Sequence, residues 1–205
     1  MSLAGGAARP SAADAPPATE APLHLISWNV AGWKTTLEQM QRTGGGLATW
    51  LGRVRADVLC LQEVKLRRDE VAAQHTALGA GGFASYWCCN EGRGAQRAGL
   101  NGVATYVREG SPWAVRRAER APLGEAALDE EGRCLLTDHG GFVVFNVYAP
   151  NTGSEERAPF KLRFLDALRA AAARERAAGR AVLIVGDLNL KLRPCDRLWS
   201  RRAIA

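Results

Sequence analysis

Ala181-Val-Leu-Ile-Val-Gly-Asp-Leu-Asn189 is the stretch on which the fold turns. Five apolar residues run into a glycine and an aspartate, as a buried strand does where it leaves its sheet. In extended backbone Asp187 and Asn189 face one side and Leu188 the other, toward the core. Working outward, three more apolar runs finish on a residue able to do chemistry: LISW on Asn29, VLCLQ on Glu63 and VVFNV on Tyr148. A strand end at a sheet rim presents a side chain on rigid backbone. If the four strands lie side by side in the same sense, Asn29, Glu63, Tyr148 and Asp187 converge.

The rest of the chain alternates in the same style. Residues 23–30, 57–63, 83–88, 102–107, 142–148 and 181–187 are short, rich in Val, Ile, Leu and aromatics, and bounded by Gly, Asn or Pro. Helical spacing marks 43–55 (Leu47, Trp50, Leu51, Val54), 69–78, and 155–178, where Phe160, Phe164, Leu165 and Leu168 make a stripe that Gly179 stops. Pro159 is tolerated in a first turn. The Gly44–Gly46 run reads as a loop leading into the helix at 43–55. The pattern is that of one α/β domain beginning near Leu23. Residues 1–22 are Ala, Pro and Gly with no large apolar side chain after Leu3, so they are expected to be disordered. They lack the apolar centre of a secretory signal.

Composition narrows the class. With 205 residues, 47% of them hydrophobic and 23% charged, the chain is globular rather than disordered throughout, and no run approaches a membrane span. Five cysteines, an odd number without a CxxC pair, argue against a disulfide framework or zinc clip and for an intracellular, reducing compartment. The net charge of +6 suits a polyanionic partner, yet only four of the 27 basic residues are Lys, which fits a GC-rich coding bias equally well. Residues 174–205 carry eight basic and three acidic side chains, against one and five over 119–131.

Glu63 and Asp187 with Asn29 and Asn189 offer two carboxylates and two carboxamides. Mg²⁺ and similar hard cations are held by that chemistry, with water and substrate phosphate completing the shell. Other reaction classes are poorly supplied. His24, His75 and His139 have no metal-ligand spacing, the serines have no nucleophile elbow, and there is neither a P-loop nor a GxGxxG turn after a strand. A doubly wound nucleotide-binding fold therefore lacks its phosphate-binding glycines.

Six segments in order, Ser27-Trp-Asn-Val-Ala-Gly32, Leu61-Gln-Glu-Val-Lys65, Asn101-Gly-Val-Ala-Thr105, Glu131-Gly-Arg133, Asn146-Val-Tyr-Ala-Pro-Asn151 and Gly186-Asp-Leu-Asn189, resemble the signatures of exonuclease III-type abasic-site endonucleases, within the endonuclease/exonuclease/phosphatase superfamily. The resemblance runs from about Leu23 to Trp199. LQEVKLRRDEV, EGRCLLTDH, FKLRF and GDLNLKLRPCD look most like the AP endonuclease 2 branch.

The resemblance implies an α/β sandwich of two sheets, of which this chain carries the N-terminal portion, spanning 23–205. It implies a DNA-repair phosphodiesterase dependent on Mg²⁺ (or Mn²⁺), nuclear by family default with an organelle as the alternative, acting on abasic or 3′-blocked duplex DNA. Glu63 matches the metal-ligand glutamate, and Asn29, Asp187 and Asn189 match residues on the metal side of the site. Tyr148 matches a tyrosine bonded to the scissile phosphate. Asp187 matches the aspartate that readies the attacking water, and Asn189 its transition-state partner. Asn151 and Asp196 match positions bordering the pocket, and Arg133 an architectural arginine. Lys65, Arg67, Arg68, Lys161 and Arg163 are candidates for DNA phosphates.

Two departures go with it. Ala31 stands where many relatives carry an acid or amide beside the metal. The Asn/Arg/Ile/Asp segment and Ser-Asp-His motif of the family's second half do not occur in these 205 residues, so weak cleavage and poor solubility are expected of them alone. Two other readings stay open. One is a phosphoesterase of the same superfamily acting on RNA tails, inositol phosphates or sphingolipid. The other is an inactive fragment that binds nucleic acid or a partner.

Overall fold

A computed structural model describes residues 22–74, 78–91, 99–152 and 157–190. Residues 1–21 of the Ala/Pro-rich segment, His75, and residues 191–205 of the basic C-terminal stretch, Asp196 among them, lie outside them.

In chain order the elements are β1 (Leu25–Asn29), α1 (Trp33–Gly44), α2 (Gly46–Val54), β2 (Val58–Gln62), α3 (Arg68–Ala73), β3 (Phe83–Cys88), β4 (Val103–Arg108), β5 (Arg117–Glu119), α4 (Ala126–Asp129), β6 (Cys134–Asp138), β7 (Phe142–Tyr148), α5 (Arg157–Ala177) and β8 (Ala181–Asp187). They form two four-stranded sheets, ordered β1-β2-β4-β3 and β5-β6-β7-β8. β1 and β2 are parallel, as are β7 and β8; the remaining neighbours are antiparallel. The four strands whose ends carry chemistry are thus not one side-by-side set. They are two parallel pairs in two facing sheets. Strand-end chemistry is readable from local sequence, whereas sheet membership depends on pairings made far along the chain.

Alternation along β2 and β7 explains the layering. Leu59 and Leu61 enter a core with Trp33, Leu47, Leu51 and Tyr106 beneath α1 and α2. Val58 and Cys60 meet Val144 across the space between the sheets. On β7, Val143, Phe145 and Val147 pack beneath α5 with Phe164, Leu168 and Ala172. Both strands are covered on both faces, hence their nearly continuous apolar character.

The inter-sheet layer is not wholly apolar. Gln62 Nε2 donates to Asn146 Oδ1 at 2.8 Å, and Asn146 Nδ2 donates to the carbonyls of Ala104 at 2.8 Å and Leu61 at 3.2 Å. Ser27 and Thr105 hydroxyls join the same network. Amides buried this deeply are tolerated because they are satisfied, and among the described residues no buried side-chain nitrogen or oxygen lacks a partner.

Several expectations shift. α1 was not anticipated, although Trp33, Leu37 and Met40 supply an i, i+4, i+7 stripe against the core. The 44–46 glycines do not lead into one helix: they join two, with Gly45 at φ +80° capping α1. β5 and β6 were also unforeseen, β5 being only three residues long and β6 a mixed CLLTD run. The helix at 69–78 is seen as α3, ending at Ala73, and the stripe on α5 is as expected. Of the described residues, no helix is long and apolar enough to cross a membrane. Leu183 and Ile184 on β8 are exposed.

Asn146→Ala should take one acceptor from the Gln62 amide and the side-chain donor from two strand carbonyls between the sheets. We expect a loss of about 3 kcal/mol in urea unfolding. A loss under about 1 kcal/mol would show that the amide bridge contributes little.

Candidate metal and phosphoester site

At one rim of the sandwich the ends of β1, β2, β7 and β8 meet. The Asn29 side-chain nitrogen donates to Glu63 Oε1 at 2.8 Å and to Asp187 Oδ2 at 2.9 Å. One amide thus spans the two sheets and holds both carboxylates. The Asn29 carbonyl oxygen is turned the other way, accepting from the Ala31 backbone N–H at 3.1 Å.

The backbone here is bent out of regular strand. Ala31, Glu63, Lys65, Asn101 and Asn189 all adopt positive φ, between 49° and 57°. Left-handed conformations cost a residue with a side chain roughly 1–2 kcal/mol each, and they persist where surrounding bonds over-determine them. Val30 N donates to Gln62 O, Trp33 N to Val64 O, Val64 N to Gly102 O and Lys65 N to Asn101 O, all between 2.9 and 3.1 Å. On β8, Gly186 sits at φ +127°, and a Cβ there would lie 2.0 Å from the Val147 carbonyl. Only glycine permits β8 to approach β7 so closely just before Asp187.

Asp187 and Asn189 do come together, though by a different route from extended alternation. The Asn189 backbone N–H donates to Asp187 Oδ1 at 2.9 Å in an Asx turn, with Asn189 left-handed. Its side-chain amide donates to Ala149 O at 2.9 Å. Leu188 packs against the α5 core, as alternation implied.

Lys161 corrects its sequence reading. It is buried on α5, and its ammonium donates to the Asn189 carbonyl instead of facing solvent. Burial pushes its pKa down, and the Asp187 charge opposes that. Its place among the candidates for DNA phosphates had no local signal against it, since α5 is basic all along.

Burial alone would raise the pKa of Glu63. Hydrogen bonds from Asn29, Lys65 and Tyr148 and the Lys65 charge bring it below the ordinary glutamate value, so the carboxylate is ionised at neutral pH. Lys65 Nζ stands 3.1 Å from Glu63 Oε2. Burial, then the Glu63 charge, pushes the Tyr148 phenol up to about 12. At neutral pH it is a proton-bearing donor. The Arg133 guanidinium lies 4.9 Å from the Tyr148 ring centre and donates to its carbonyl at 3.2 Å. Glu131 grips Arg133 and Arg157 together, at 2.5 and 3.0 Å. Sequence reading assigned Arg133 architecture; Arg157 it did not single out.

The remaining candidates are scattered. Asn151 is exposed beyond Tyr148. Arg163 is exposed and paired with Glu125 at 2.6 Å, Arg67 with Asp69 at 3.1 Å, and Arg68 with Glu91 at 3.0 Å. Gln62 and Asn146, which link the sheets directly behind the site, went unnoticed. Each is an amide inside an apolar run, and that mismatch was the available signal.

Two facing sheets with this rim of carboxylates and amides define a phosphoesterase-like α/β sandwich, and the comparisons agree. The family model for the Endonuclease/Exonuclease/phosphatase family matches residues 26–202, and the chain belongs to that family. Within it, the chain is 32% identical to the DNA-(apurinic or apyrimidinic site) endonuclease 2 of Bos taurus, over 87% of this chain and 40% of that protein. The crystal structure of the Xenopus laevis APE2 catalytic domain superposes with a TM-score of 0.68 at 30% identity, covering 85% of this chain and 60% of that one. An AP endonuclease from Leishmania major gives 0.68 at 26% identity, over 87% and 58% of the two chains. The chain therefore spans less than two thirds of the length of these relatives.

All three tyrosines of the chain are held above the ordinary phenol value, Tyr86, Tyr106 and Tyr148 alike, chiefly by burial. The folded state keeps these protons more tightly than the unfolded chain. The associated stability is complete below about pH 10 and is lost as pH rises toward and through the folded values. Phenolate absorbance in native protein should develop at higher pH than in denatured protein, which titrates near 10. A native inflection near 10 that vanishes in Tyr148→Phe would contradict the buried, Glu63-facing phenol.

Proposed function

We propose that this chain forms the N-terminal part of a divalent-cation-dependent phosphodiesterase that cleaves damaged duplex DNA, at abasic sites or blocked 3′ ends, in the nucleus. The single observation that carries the reading is the Asn29 nitrogen holding Glu63 and Asp187 together from opposite sheets. Family membership and relatives named as abasic-site endonucleases support the substrate class.

The residues suit a hard cation. The ligands on offer at the rim are carboxylate and amide oxygens; among the described residues no group of three or more His, Cys, Asp and Glu is placed to hold a metal ion, so a cation here would rest on Glu63, Asp187, amide oxygens and water. Glu63 and Asp187 would hold Mg²⁺, with Asn189 beside them and Asn29 as the bracket that sets their separation. Such an ion, when bound, supplies Lewis-acid polarisation of a phosphoryl oxygen and neutralises charge on the leaving oxygen.

The chain's own groups divide the remaining work. Asp187 is held at Oδ1 by the Asn189 N–H and at Oδ2 by Asn29, so its orientation is set before substrate arrives. It is the group placed to accept a proton from an attacking water. Lys161 buttresses the turn that carries it. Tyr148, still protonated at physiological pH, donates to a phosphate oxygen, and Arg133 fixes the ring that carries that hydroxyl. Lys65 stands beside Glu63 and would meet arriving phosphate; Asn151 and Asp196 are assigned to the pocket border by the family motif alone. Arg163, engaged with Glu125, would need to leave that pair to contact DNA.

Calorimetry with Mg²⁺ tests the metal assignment: Glu63→Ala should weaken binding far more than Glu70→Ala on α3, and equal affinities would remove Glu63 from the role. Asp187→Asn should lower Mg²⁺-dependent cleavage of an abasic duplex by roughly 10²–10⁴-fold. Faster turnover of RNA tails or inositol phosphates than of abasic DNA would move the substrate to another branch of the family.

A further inference from the structure

The four carboxylate oxygens of Glu63 and Asp187 are not equivalent. Glu63 Oε1 and Asp187 Oδ2 share the Asn29 amide, and Asp187 Oδ1 takes the Asn189 backbone N–H. Both partners are uncharged and fixed to a strand end or a turn. Glu63 Oε2 alone faces a full positive charge, the Lys65 ammonium at 3.1 Å.

Lys65 is also the movable member. Its side chain is 40% exposed, against 21% for Glu63. Its second contact is the Ala31 carbonyl at 3.2 Å, a neutral acceptor. Among the described residues Glu63 is the one carboxylate within ion-pair distance of Lys65. Position 31, at φ +51° beside that ammonium, carries a methyl group and so offers no competing oxygen from its side chain. An ammonium on a flexible four-carbon stem, strongly attracted to water, is readily exchanged for another cation.

We propose that Lys65 is a tethered cation seated on the outer oxygen of Glu63, that an incoming divalent ion must displace it, and that the displaced ammonium becomes the first contact for substrate phosphate. This rests on the reading of the rim as a metal-dependent phosphoester site. It follows that cation arrival and the unmasking of a phosphate-binding charge are one event. Without metal, Glu63 neutralises Lys65, and the rim attracts phosphate weakly. With metal, the carboxylate is taken and the ammonium is free. A half-exposed ion pair is weak enough to yield in this way and strong enough to be felt in the affinity.

The experiment uses the full 205-residue chain and Mg²⁺ alone. Calorimetry compares the unaltered chain with Lys65→Met and Glu63→Gln. In parallel, acetylation of lysines by a water-soluble reagent is followed by mass spectrometry with and without Mg²⁺. Lys34, paired with Glu70 at 2.7 Å, serves as the internal control. Lys65→Met should bind Mg²⁺ about fivefold more tightly. In the unaltered chain Lys65 should acetylate several-fold faster once Mg²⁺ is added, with Lys34 unchanged. In Glu63→Gln, Lys65 should be fast from the start and indifferent to Mg²⁺. Unchanged or weaker binding in Lys65→Met, or Lys65 reactivity that Mg²⁺ does not alter, overturns the proposal if Glu63→Gln still abolishes Mg²⁺ binding. If Glu63→Gln binds Mg²⁺ as the unaltered chain does, the metal-site reading itself fails, and this proposal with it.

Discussion

Two side-chain amides, Gln62 and Asn146, meet in the buried layer between the sheets, and the spacing of the groups at the rim depends on them. Apolar contacts between two sheets are non-directional and tolerate sliding. An amide pair with a 2.8 Å bond between β2 and β7, backed by bonds to strand carbonyls, does not. A shift of one residue would turn both amides toward a helix-covered core and leave them unsatisfied. Because Gln62 immediately precedes Glu63, and Asn146 lies two residues before Tyr148, the bond that sets inter-sheet register also sets the spacing of the groups at the rim.

From that register follows the sharing of the Asn29 nitrogen by two carboxylates from different sheets. Two ionised acids near each other repel; here a neutral donor lies between them and a lysine stands on the outer side of one. The concentration of left-handed residues at 31, 63, 65, 101 and 189 shows where conformational energy is held. It lies where the strands must end and turn their side chains inward, and the crossing backbone bonds hold it there. Helices α1 and α5 contribute from behind, through Trp33 bonded to Tyr106 and Lys161 bonded to the Asn189 carbonyl. In the proposed reaction these supports matter because a catalytic group displaced by about 1 Å can lose on the order of 10²-fold in rate.

Much of this was legible in the chain itself. Strands ending on Asn29, Glu63, Tyr148 and Asp187 could be read because buried strands are apolar and a polar residue at their end breaks the pattern. The six motifs resembling the abasic-site endonucleases named the family that the comparisons then established. α1 and the short strands β5 and β6 were missed. All three pack on partners far along the chain; β5 and β6 are too short or mixed to show a period, whereas the Trp33, Leu37 and Met40 stripe of α1 was a signal that went unread. Lys161 was misjudged because a basic helix does not reveal which of its basic residues turns inward.

Local sequence by itself determined which residues end the strands, which faces are apolar, and which side chains are chemically able to hold a hard cation or a phosphate. These properties follow from side-chain periodicity and donor chemistry within a few residues, and no distant partner is needed to read them. Tertiary structure alone decided that the four strand ends belong to two facing sheets and that Asn29 serves both carboxylates. It also decided that Asp187 and Asn189 meet through a left-handed turn, that Lys161 is buried, and that Lys65 sits on Glu63. Each of those facts depends on a contact between segments more than about 25 residues apart, or on a backbone angle that such contacts impose, and such pairings are set by the packing of the whole sandwich.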